Sequence, residues 1–341
     1  MNDEQIEHQY LKQDDVEAVD KLLHRIGALD AGERVERVDC AGQGNMNLTL
    51  RVTTGRRSLI VKQSRPWVER YPEIEAPVER CDIEADFYRR VAEVRAVAGA
   101  MPRLLGHSQA DHVLVLEDLG ASADLTDLYG GRPADAEDVA GLARYLSALH
   151  AITLTKDAER LVNRAMRELN HAHQYRIPLE PGNGLDLDAI EAGLSAAARQ
   201  AIADNAFTDA VDALGERYLA DGDYLLHGDF FPGSWLRHRD GVRIIDAEFA
   251  FHGDREYDLG VALAHLVMAR QPEAAQALLR AYEHPSPLDH PLLSQYVAAE
   301  IMRRLIGYAQ LPLALRAPQR AELLSRAVRA MKARDWLTLL C

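Results

Sequence analysis

The amino-acid sequence predicts an α+β protein with two lobes: a small N-terminal lobe of strands and helices, and a larger, mainly helical C-terminal lobe. Two patterns indicate this division. Apolar residues in the first third of the 341-residue chain change between strand and helix spacing. From about residue 134 onward they follow helical spacing, except at residues 224–251. A chain of this length can form two separate cores, and we place the lobes at residues 1–116 and 121–341, with residues 117–120 as a connector.

The N-terminal lobe is predicted to start with a helix and to continue as a sheet. Asp14 and Asp15 precede apolar residues at helical spacing, a pattern typical of a capped amphipathic helix. The segment NLTLRV alternates, TTGR favours a turn, and SLIVKQ has the composition of a second strand. Residues 82–97 return to helical spacing, and residues 112–120, HVLVLEDLG, predict a strand that ends in a polar loop.

Composition and charge argue against several classes of protein. The formal charge of −14 disfavours nucleic-acid binding, because contact with phosphates requires a basic surface. The three cysteines, Cys40, Cys81 and Cys341, show neither zinc-site spacing nor a disulfide framework. The segment MNDEQIEHQY is acidic and polar, unlike a signal peptide, and the longest apolar run is too short to span a bilayer. We therefore predict a cytoplasmic protein that binds neither nucleic acid nor a membrane.

The segment AGQGNMN is the first candidate for ligand binding. Its Gly-x-Gly is followed by a strand, a turn and a strand, whereas a dinucleotide-binding fingerprint requires a helix at that point. A glycine loop between strands can instead cover nucleotide phosphates, as in protein kinases. Gly42, Gly44 and Asn45 are therefore candidates to contact ATP. A plain turn that uses glycine for its positive φ is the alternative.

Two charged residues of the N-terminal lobe are candidates to hold phosphates. Lys62 lies inside the apolar strand SLIVKQ, and Glu84 lies near the start of the next predicted helix. In protein kinases a strand lysine holds the α- and β-phosphates and pairs with a helix glutamate. Alternatively, Lys62 points to solvent and Glu84 merely favours the helix dipole. In the connector, the backbone from Glu117 to Leu119 could pair with an adenine edge, and an ordinary polar loop is the alternative.

Residues 224–251 are predicted to form a hairpin with three carboxylates at its open end. Asp229 follows one short apolar run, and Asp246 and Glu248 follow a second. The Asp240-Gly241 pair between the runs favours a tight turn, because both residues tolerate positive φ. Clustered carboxylates repel one another unless a cation is bound. A solvated polar hairpin is therefore the weaker explanation of this segment.

These carboxylates match the requirements of phosphoryl transfer, in which one aspartate accepts or orients the hydroxyl proton and another acid holds Mg²⁺ on the phosphates. Asp229 is the candidate catalytic residue. Asp246 is the candidate Mg²⁺ ligand, and Glu248 would share its face of a strand. Ser234 lies five residues after Asp229, where protein kinases place a further metal ligand.

The segments HGDFFPGS and IDAEFAF resemble the aminoglycoside phosphotransferase and choline kinase superfamily, and within it the 5-methylthioribose kinase family. Further segments are similar to that family: GQGNMNLTLRV, SLIVKQSRPWVERYPE, RELNHAHQYRIPL and AEIMRRLIGYAQ. The matches extend from about Gly42 to Gln310 and so include most of the chain. The resemblance implies a protein-kinase-like fold, consistent with the two lobes predicted above.

The resemblance also implies a function and the residues that perform it. The implied reaction is ATP- and Mg²⁺-dependent transfer of a γ-phosphate to a hydroxyl of a small molecule, with 5-methylthioribose as the leading acceptor, and the family suggests a homodimer. Asp229 would be the catalytic aspartate, and Arg303 and Arg304 would bind the acceptor. The Mg²⁺ ligands would be Asp246, Glu248 and Ser234. The residues implied to bind ATP are Gly42, Gly44, Asn45, Lys62, Glu84, Glu117 and Leu119.

Several departures from the family pattern bear on the acceptor. The family reads His-Gly-Asp-Leu-His-Thr-Gly-Ser, where this chain has Phe230, Phe231 and Pro232 after the aspartate. Ala247 replaces the proline of Asp-Pro-Glu, and residues 252–258, HGDREYD, are closer to general phosphotransferases. The acceptor could therefore be another sugar, an amino alcohol or an aminoglycoside. A nucleotide-binding protein without turnover is a further alternative.

Overall fold

The computed structural model describes residues 10–42, 46–152, 154 and 159–340. The chain divides into two compact units, Met1–Ser122 and Ala123–Cys341. Within the described ranges, no helix is both long enough and apolar enough to cross a membrane.

The N-terminal unit is built around a five-stranded antiparallel sheet, as far as its described residues go, with strand order β1-β2-β3-β7-β6. A small hairpin, β4-β5, follows β3. The elements in chain order are α1 (Val16–Arg25), β1 (Val35–Cys40), β2 (Leu48–Thr54), β3 (Ser58–Gln63), β4 (Trp67–Val68), β5 (Tyr71–Glu75), α2 (Arg80–Val91), α3 (Arg95–Ala98), β6 (Leu104–Ser108) and β7 (Val113–Glu117).

Helix α1 and strand β3 form as the sequence predicts. The Asp15 carboxylate accepts the Ala18 N–H at 2.9 Å and so caps α1. Along β3, Leu59 and Val61 lie in the core cluster that also contains the apolar residues of α1. Because successive residues of a strand point to opposite faces, Lys62 lies on the other face of the sheet.

The helix predicted at residues 82–97 is divided. Helix α2 ends at Val91, and Val94 leaves helical geometry with ψ 89° before the short α3. In a continuous helix, Val97 would lie about 120° around the axis from Val91. The break allows Val97 to be fully buried.

The C-terminal unit is mainly helical, and its helix α11 packs against α9 and α12. Short 3-10 turns, including Pro232–Ser234 and Ala247–Phe249, and a π-helical turn at Ala172–Arg176 connect some of its elements. The elements are β8 (Ala123–Asp124), α4 (Ala136–His150), α5 (Arg164–His171), α6 (Leu187–Ile190), α7 (Leu194–Ile202), α8 (Asn205–Leu219), β9 (Tyr224–Leu226), β10 (Trp235–Arg237), β11 (Arg243–Ile244), β12 (Phe251–Gly253), α9 (Arg255–Met268), α10 (Pro272–Ala281), α11 (His290–Ile306) and α12 (Ala317–Ala333).

The single hairpin predicted at residues 224–251 is wrong. Strand β9 pairs with β12, whereas β11 pairs with β10 around the Asp240-Gly241 turn. A tight turn joins the strands that flank it directly, and the strand before this turn is β10. Within the Asp240-Gly241 pair, Gly241 has positive φ, at 93°. Asp229 therefore follows β9, and Asp246 follows β11.

Candidate active site

A buried ion pair joins the sheet to helix α2 in the N-terminal unit. Lys62 Nζ donates to both carboxylate oxygens of Glu84, at 2.8 and 3.0 Å. The two side chains are 7% and 0% exposed. Charges removed from water are costly unless they are paired and hydrogen-bonded. The structure thus excludes a solvent-facing Lys62 and holds its ammonium group beside α2.

The fully buried Arg80, the first residue of α2, links this helix to the chain that follows the glycine loop. Its Nε donates to Asn47 Oδ1 at 3.0 Å, and its Nη2 donates to the Met46 carbonyl at 2.9 Å. Its Nη1 donates to the Arg65 carbonyl at 3.1 Å. Sequence reasoning missed Arg80. A cation in the first turn of a helix opposes the helix dipole, and this mismatch is a signal in the sequence.

The other residues predicted to contact ATP are placed less completely. Gly42 has φ 75°, and a Cβ there would meet no atom within 4 Å, so the backbone conformation rather than crowding favours glycine. Gly44 and Asn45 lie outside the described residues. Glu117 is the last residue of β7, and Leu119 is half-buried in the connector. Contact of these residues with a nucleotide stays a prediction.

The connector at residues 117–120 is held against the sheet by Asp118. Its carboxylate accepts two hydrogen bonds from Arg51, at 2.8 and 3.2 Å. Burial favours a higher pKa for Asp118. Hydrogen bonds from Ser58, the Gly120 N–H and Arg51 outweigh burial and hold the pKa below its ordinary value. Asp118 therefore stays ionised and fixes the start of the connector.

Asp258 of α9 fixes the backbone of the segment that carries Asp229, residues 227–234, which we call the aspartate loop. The buried Asp258 carboxylate accepts the backbone N–H of His227 at 2.7 Å and of Gly228 at 3.0 Å. Sequence reasoning missed this residue as well. The signal in the sequence is that this acid directly precedes the apolar helical run LGVALAHLVM. An acid next to such a run is buried with it, and a buried charge requires hydrogen-bonding partners.

Two further contacts shape the aspartate loop. Gly228 has φ 84°, and a Cβ there would lie 2.0 Å from the Phe249 carbonyl oxygen, so only glycine fits. The His227 Nε2 donates to the Ile245 carbonyl at 2.9 Å. This bond links the aspartate loop to the residue before Asp246.

Asp229 lies beside the two arginines predicted to bind the acceptor. Its side chain is 23% exposed, and Arg304 Nη2 lies 3.8 Å from its Oδ1. Burial raises the pKa of the Asp229 carboxyl, and Arg304 and Arg303 partly oppose this shift. The Ser234 hydroxyl donates to the Asp229 carbonyl at 3.1 Å and so supports the loop. A role for Ser234 as a metal ligand stays a prediction.

Asp246 and Glu248 lie in a turn, so the prediction that they share the face of a strand is wrong. Asp246 has φ 66° and ψ 50°, and the 3-10 turn Ala247–Phe249 follows. A left-handed conformation is uncommon for residues other than glycine. Asn163 Nδ2 donates to the Glu248 carbonyl at 3.0 Å and holds the turn. The Asp246 side chain is half-buried, and Glu248 is buried.

Arg303 and Arg304 are buried near the end of α11, with 8% and 6% of their surfaces exposed. Arg304 Nε donates to Glu300 at 2.6 Å, and Arg303 Nη1 donates to Asn170 Oδ1 at 3.0 Å. Arg303 Nε has no hydrogen-bond partner within the described part of the chain. Tyr308 lies beyond the end of the helix and is half exposed.

Glu300, which sequence reasoning missed, is fully buried and accepts hydrogen bonds from all sides. Besides Arg304, its carboxylate accepts His265 Nε2 at 3.0 Å and Gln174 Nε2 at 3.2 Å. Arg303 Nη1 lies 3.5 Å from its Oε2. Burial favours a higher pKa for Glu300, but the two arginines outweigh burial and hold the pKa well below its ordinary value. The carboxylate is therefore ionised.

The donors to Glu300 include a neutral histidine. Burial lowers the pKa of His265 to about 4, although its hydrogen bond to Glu300 opposes this shift. A neutral imidazole has one N–H and one acceptor nitrogen. His265 Nε2 donates to the ionised Glu300, so its Nδ1 accepts the Tyr129 hydroxyl at 2.6 Å.

The two phenylalanines that replace the family pattern have different surroundings. Phe230 is fully buried and stacks on Tyr145, with 5.6 Å between ring centroids. Phe231 is half-buried; its ring lies 5.1 Å from the Arg304 guanidinium and 5.3 Å from the His265 ring. Phe231 alone of the two therefore contacts the arginine that faces Asp229.

The chain belongs to the phosphotransferase enzyme family, whose sequence profile matches residues 41–294. This confirms the family resemblance predicted from the motifs. Among relatives, the methylthioribose kinase of Exiguobacterium sibiricum is 30% identical over 247 residues, covering 68% of this chain and 61% of that protein. The methylthioribose kinase of Erwinia tasmaniensis is 28% identical over 245 residues, covering 67% and 59%. The chain thus spans about three fifths of the length of these curated relatives.

Solved structures with the same fold include kinases of several small molecules. The choline kinase LicA from Streptococcus pneumoniae has a TM-score of 0.53 at 14% identity, covering 93% of this chain and 98% of that chain. The spectinomycin phosphotransferase APH(9)-Ia, with ADP and spectinomycin bound, has a TM-score of 0.53 at 13% identity, covering 96% and 99%. At this identity the similarity shows the fold alone, and it confirms the predicted α+β, kinase-like class.

Proposed function

We propose that this protein transfers the γ-phosphate of ATP to a hydroxyl of an uncharged small molecule, with 5-methylthioribose as the leading acceptor. The observation that carries the proposal is a partly exposed Asp229 carboxylate 3.8 Å from the buried Arg304. The relatives named methylthioribose kinase support the choice of acceptor.

Asp229 would act as the proton acceptor. As the acceptor hydroxyl oxygen attacks the γ-phosphorus, its proton passes to the Asp229 carboxylate, the bond between the γ-phosphorus and the β,γ-bridging oxygen breaks, and ADP leaves. A carboxylate whose pKa is raised by burial is a stronger base than an exposed one. Arg304 would hold Asp229 ionised between turnovers and would offset charge that develops on the phosphoryl oxygens.

Asp246 and Glu248 would hold Mg²⁺. Among the described residues, no group of three or more His, Cys, Asp or Glu side chains could hold a metal ion by itself. Mg²⁺ often takes only one or two carboxylates from a protein and completes its shell with phosphates and water, so this pair of hard oxygen donors fits it. Bound there, Mg²⁺ would neutralise charge on the transferring phosphates. The left-handed backbone of Asp246 costs energy of the kind that proteins retain at functional sites.

In the N-terminal unit, Lys62 would bind the nucleotide phosphates. The bidentate bond to Glu84 holds the ammonium group in a fixed position beside α2. Residues 117–120 would offer backbone groups to the adenine edge, and Gly42 would begin the loop that covers the phosphates. ATP is thus the proposed co-substrate.

The charges around Asp229 favour an uncharged acceptor over a cationic one. The two buried guanidinium groups, Arg303 and Arg304, are balanced by the two carboxylates Glu300 and Asp229, so this cluster has no net negative charge that would attract a cation. A quaternary ammonium group or a polyamine would be repelled by these arginines, because like charges at an interface are costly. Hydroxyl groups of a sugar can instead accept hydrogen bonds from N–H groups. Arg303 Nε has no hydrogen-bond partner in the described part of the chain and is therefore a candidate donor to such a hydroxyl.

The test is ADP release with ATP and Mg²⁺ and one acceptor at a time: methylthioribose, ribose, choline and an aminoglycoside. We expect turnover with methylthioribose and background rates with the two cationic acceptors. Phe231 departs from the family pattern, so the acceptor could be a different uncharged sugar. If the protein phosphorylated only another uncharged sugar, such as ribose, that sugar would replace methylthioribose as the proposed acceptor. Efficient phosphorylation of choline or an aminoglycoside would contradict the charge argument, and no turnover with any acceptor would favour a nucleotide-binding protein.

Replacing either Arg303 or Arg304 with Met tests the acceptor site directly. Loss of one hydrogen bond to a charged group should lower kcat/KM for the acceptor about ten- to a hundredfold, while the KM for ATP changes little. Lys332, a surface cation of α12 paired with Asp204, gives a matched control as Lys332→Met, which should leave both constants unchanged. Unaltered acceptor kinetics in both arginine variants would remove the arginines from the acceptor site.

The proposed homodimer is tested separately, by light scattering after size-exclusion chromatography.

A further inference from the structure

Glu300 is held by four donors from three parts of the C-terminal unit. Its Oε1 accepts Arg304 Nε at 2.6 Å and His265 Nε2 at 3.0 Å. Its Oε2 accepts Gln174 Nε2 at 3.2 Å and lies 3.5 Å from Arg303 Nη1. Each oxygen thus faces two N–H groups, and the side chain has no solvent exposure.

Only an ionised carboxylate satisfies this arrangement. An ionised carboxylate only accepts hydrogen bonds, whereas the amide of Gln has one acceptor oxygen and one donor NH₂ group. In either orientation of a Gln at position 300, the NH₂ group would face an arginine N–H group, which cannot accept a hydrogen bond: Arg304 Nε on one side or Arg303 Nη1 on the other. Gln174 cannot compensate by turning its own amide, because its Oε1 already accepts the Tyr257 hydroxyl at 3.1 Å.

The contacts to Arg304 suggest what Glu300 does. Glu300 takes the Nε of Arg304, and the Phe231 ring covers the guanidinium plane at 5.1 Å. In this orientation Nη2 stops 3.8 Å from Asp229, which is beyond hydrogen-bonding distance. Without the Glu300 charge, Arg304 would be free to move onto Asp229 and form a direct ion pair that occupies the proposed proton acceptor.

We infer that Glu300 is a positioning residue of the acceptor site: it holds Arg304 toward the acceptor and prevents Arg304 from pairing directly with Asp229. This inference rests on the function proposed above. The Glu300 side chain has no solvent exposure, so its effect would be exerted through Arg304.

The test compares Glu300→Gln with a matched variant of another buried carboxylate. Glu33 of the N-terminal unit is also buried, and it accepts four hydrogen bonds, two from Arg57, one from Thr54 and one from the Asp30 N–H. Both variants should lose stability. Only Glu300→Gln should lower acceptor kcat/KM, by about a hundredfold, with the KM for ATP within about twofold. Glu300→Asp, which keeps the charge, should recover part of the loss.

A second comparison remains decisive if Glu300→Gln alone does not fold. If Glu300 acts through Arg304, then Arg304→Met and the double variant Arg304→Met/Glu300→Gln should have equal acceptor kcat/KM within about threefold. A further loss of about tenfold or more in the double variant overturns the inference, as does a Glu300→Gln variant with wild-type acceptor kinetics. A wild-type protein that turns over no acceptor overturns the proposed function and this inference with it.

Discussion

Breaking the Lys62–Glu84 ion pair should lower the free energy of unfolding of the N-terminal unit, and the burial and short distances of the pair give the expected size of the loss. Both side chains are nearly inaccessible, and the ammonium bonds both oxygens at 2.8 and 3.0 Å. Removing one partner of such a pair leaves an uncompensated buried charge and costs about 3–5 kcal/mol. Glu84→Leu and Lys62→Met should each show this loss. The double variant, which leaves no buried charge, should cost far less than the sum.

The assay must report on the N-terminal unit alone, because a chain of two units need not unfold in one step. Native-state hydrogen exchange of peptides from β3 and α2 gives the local free energy of unfolding. We expect a coupling energy of about 3 kcal/mol or more between the two positions. Additive single losses would show that the pair contributes no interaction energy and would refute this reasoning. Glu84→Gln should also weaken ADP binding, because Lys62 loses its fixed orientation. Isothermal titration calorimetry measures this change.

Three further predictions concern other carboxylates. Asp229→Asn should lower turnover by about 10² or more while ADP binding survives; wild-type turnover would reject Asp229 as the proton acceptor. Asp246→Asn should raise the Mg²⁺ concentration needed for half-maximal rate more than Glu248→Gln does, and an unchanged Mg²⁺ dependence in both would reject the metal site. Hydrogen bonds from Arg57 lower the pKa of Glu33 from 4.5 to about 2. Because the pKa of Glu33 is lower in the folded state, its ionisation stabilises the folded protein by at most about 3 kcal/mol. This stabilisation is present above pH 4.5 and is lost as the pH falls toward 2. Urea unfolding of wild type and Glu33→Gln should therefore differ at pH 7 and converge as the pH falls; a constant difference would contradict the shift.

Helix α1 and strands β2, β3 and β7 were predictable because their patterns are local. Alternation in SLIVKQ places Lys62 on the face opposite Val61, and that face is where α2 lies. The capping acid Asp15 likewise acts on a residue three positions away. The break after Val91 was not predictable, because it serves the burial of Val97 in the tertiary structure.

Strand pairing in the C-terminal unit was less accessible from the sequence. Strands of two or three residues carry almost no alternation signal, so β9 could not be assigned to β12 in advance. The positions of Asp229 and Asp246 after two different strand pairs follow from that pairing. The roles of Asp229 and Asp246 stay predictions, because they were assigned from the motif as a whole and not from the topology.

The arginine pair shows which sequence signal was overlooked. Helical spacing of apolar residues leaves Arg303 and Arg304 off the core stripe, which on that rule alone predicts contact with solvent. Glu300 lies three and four residues before them, the spacing at which opposite charges meet on one face of a helix. A helix that is otherwise apolar around such a triplet cannot expose it and must bury it as a neutralised set. The spacing Glu-x-x-Arg-Arg within an apolar helix therefore predicts buried arginines, and the second positive charge calls for a further acid, which in this structure is Asp229 beside Arg304.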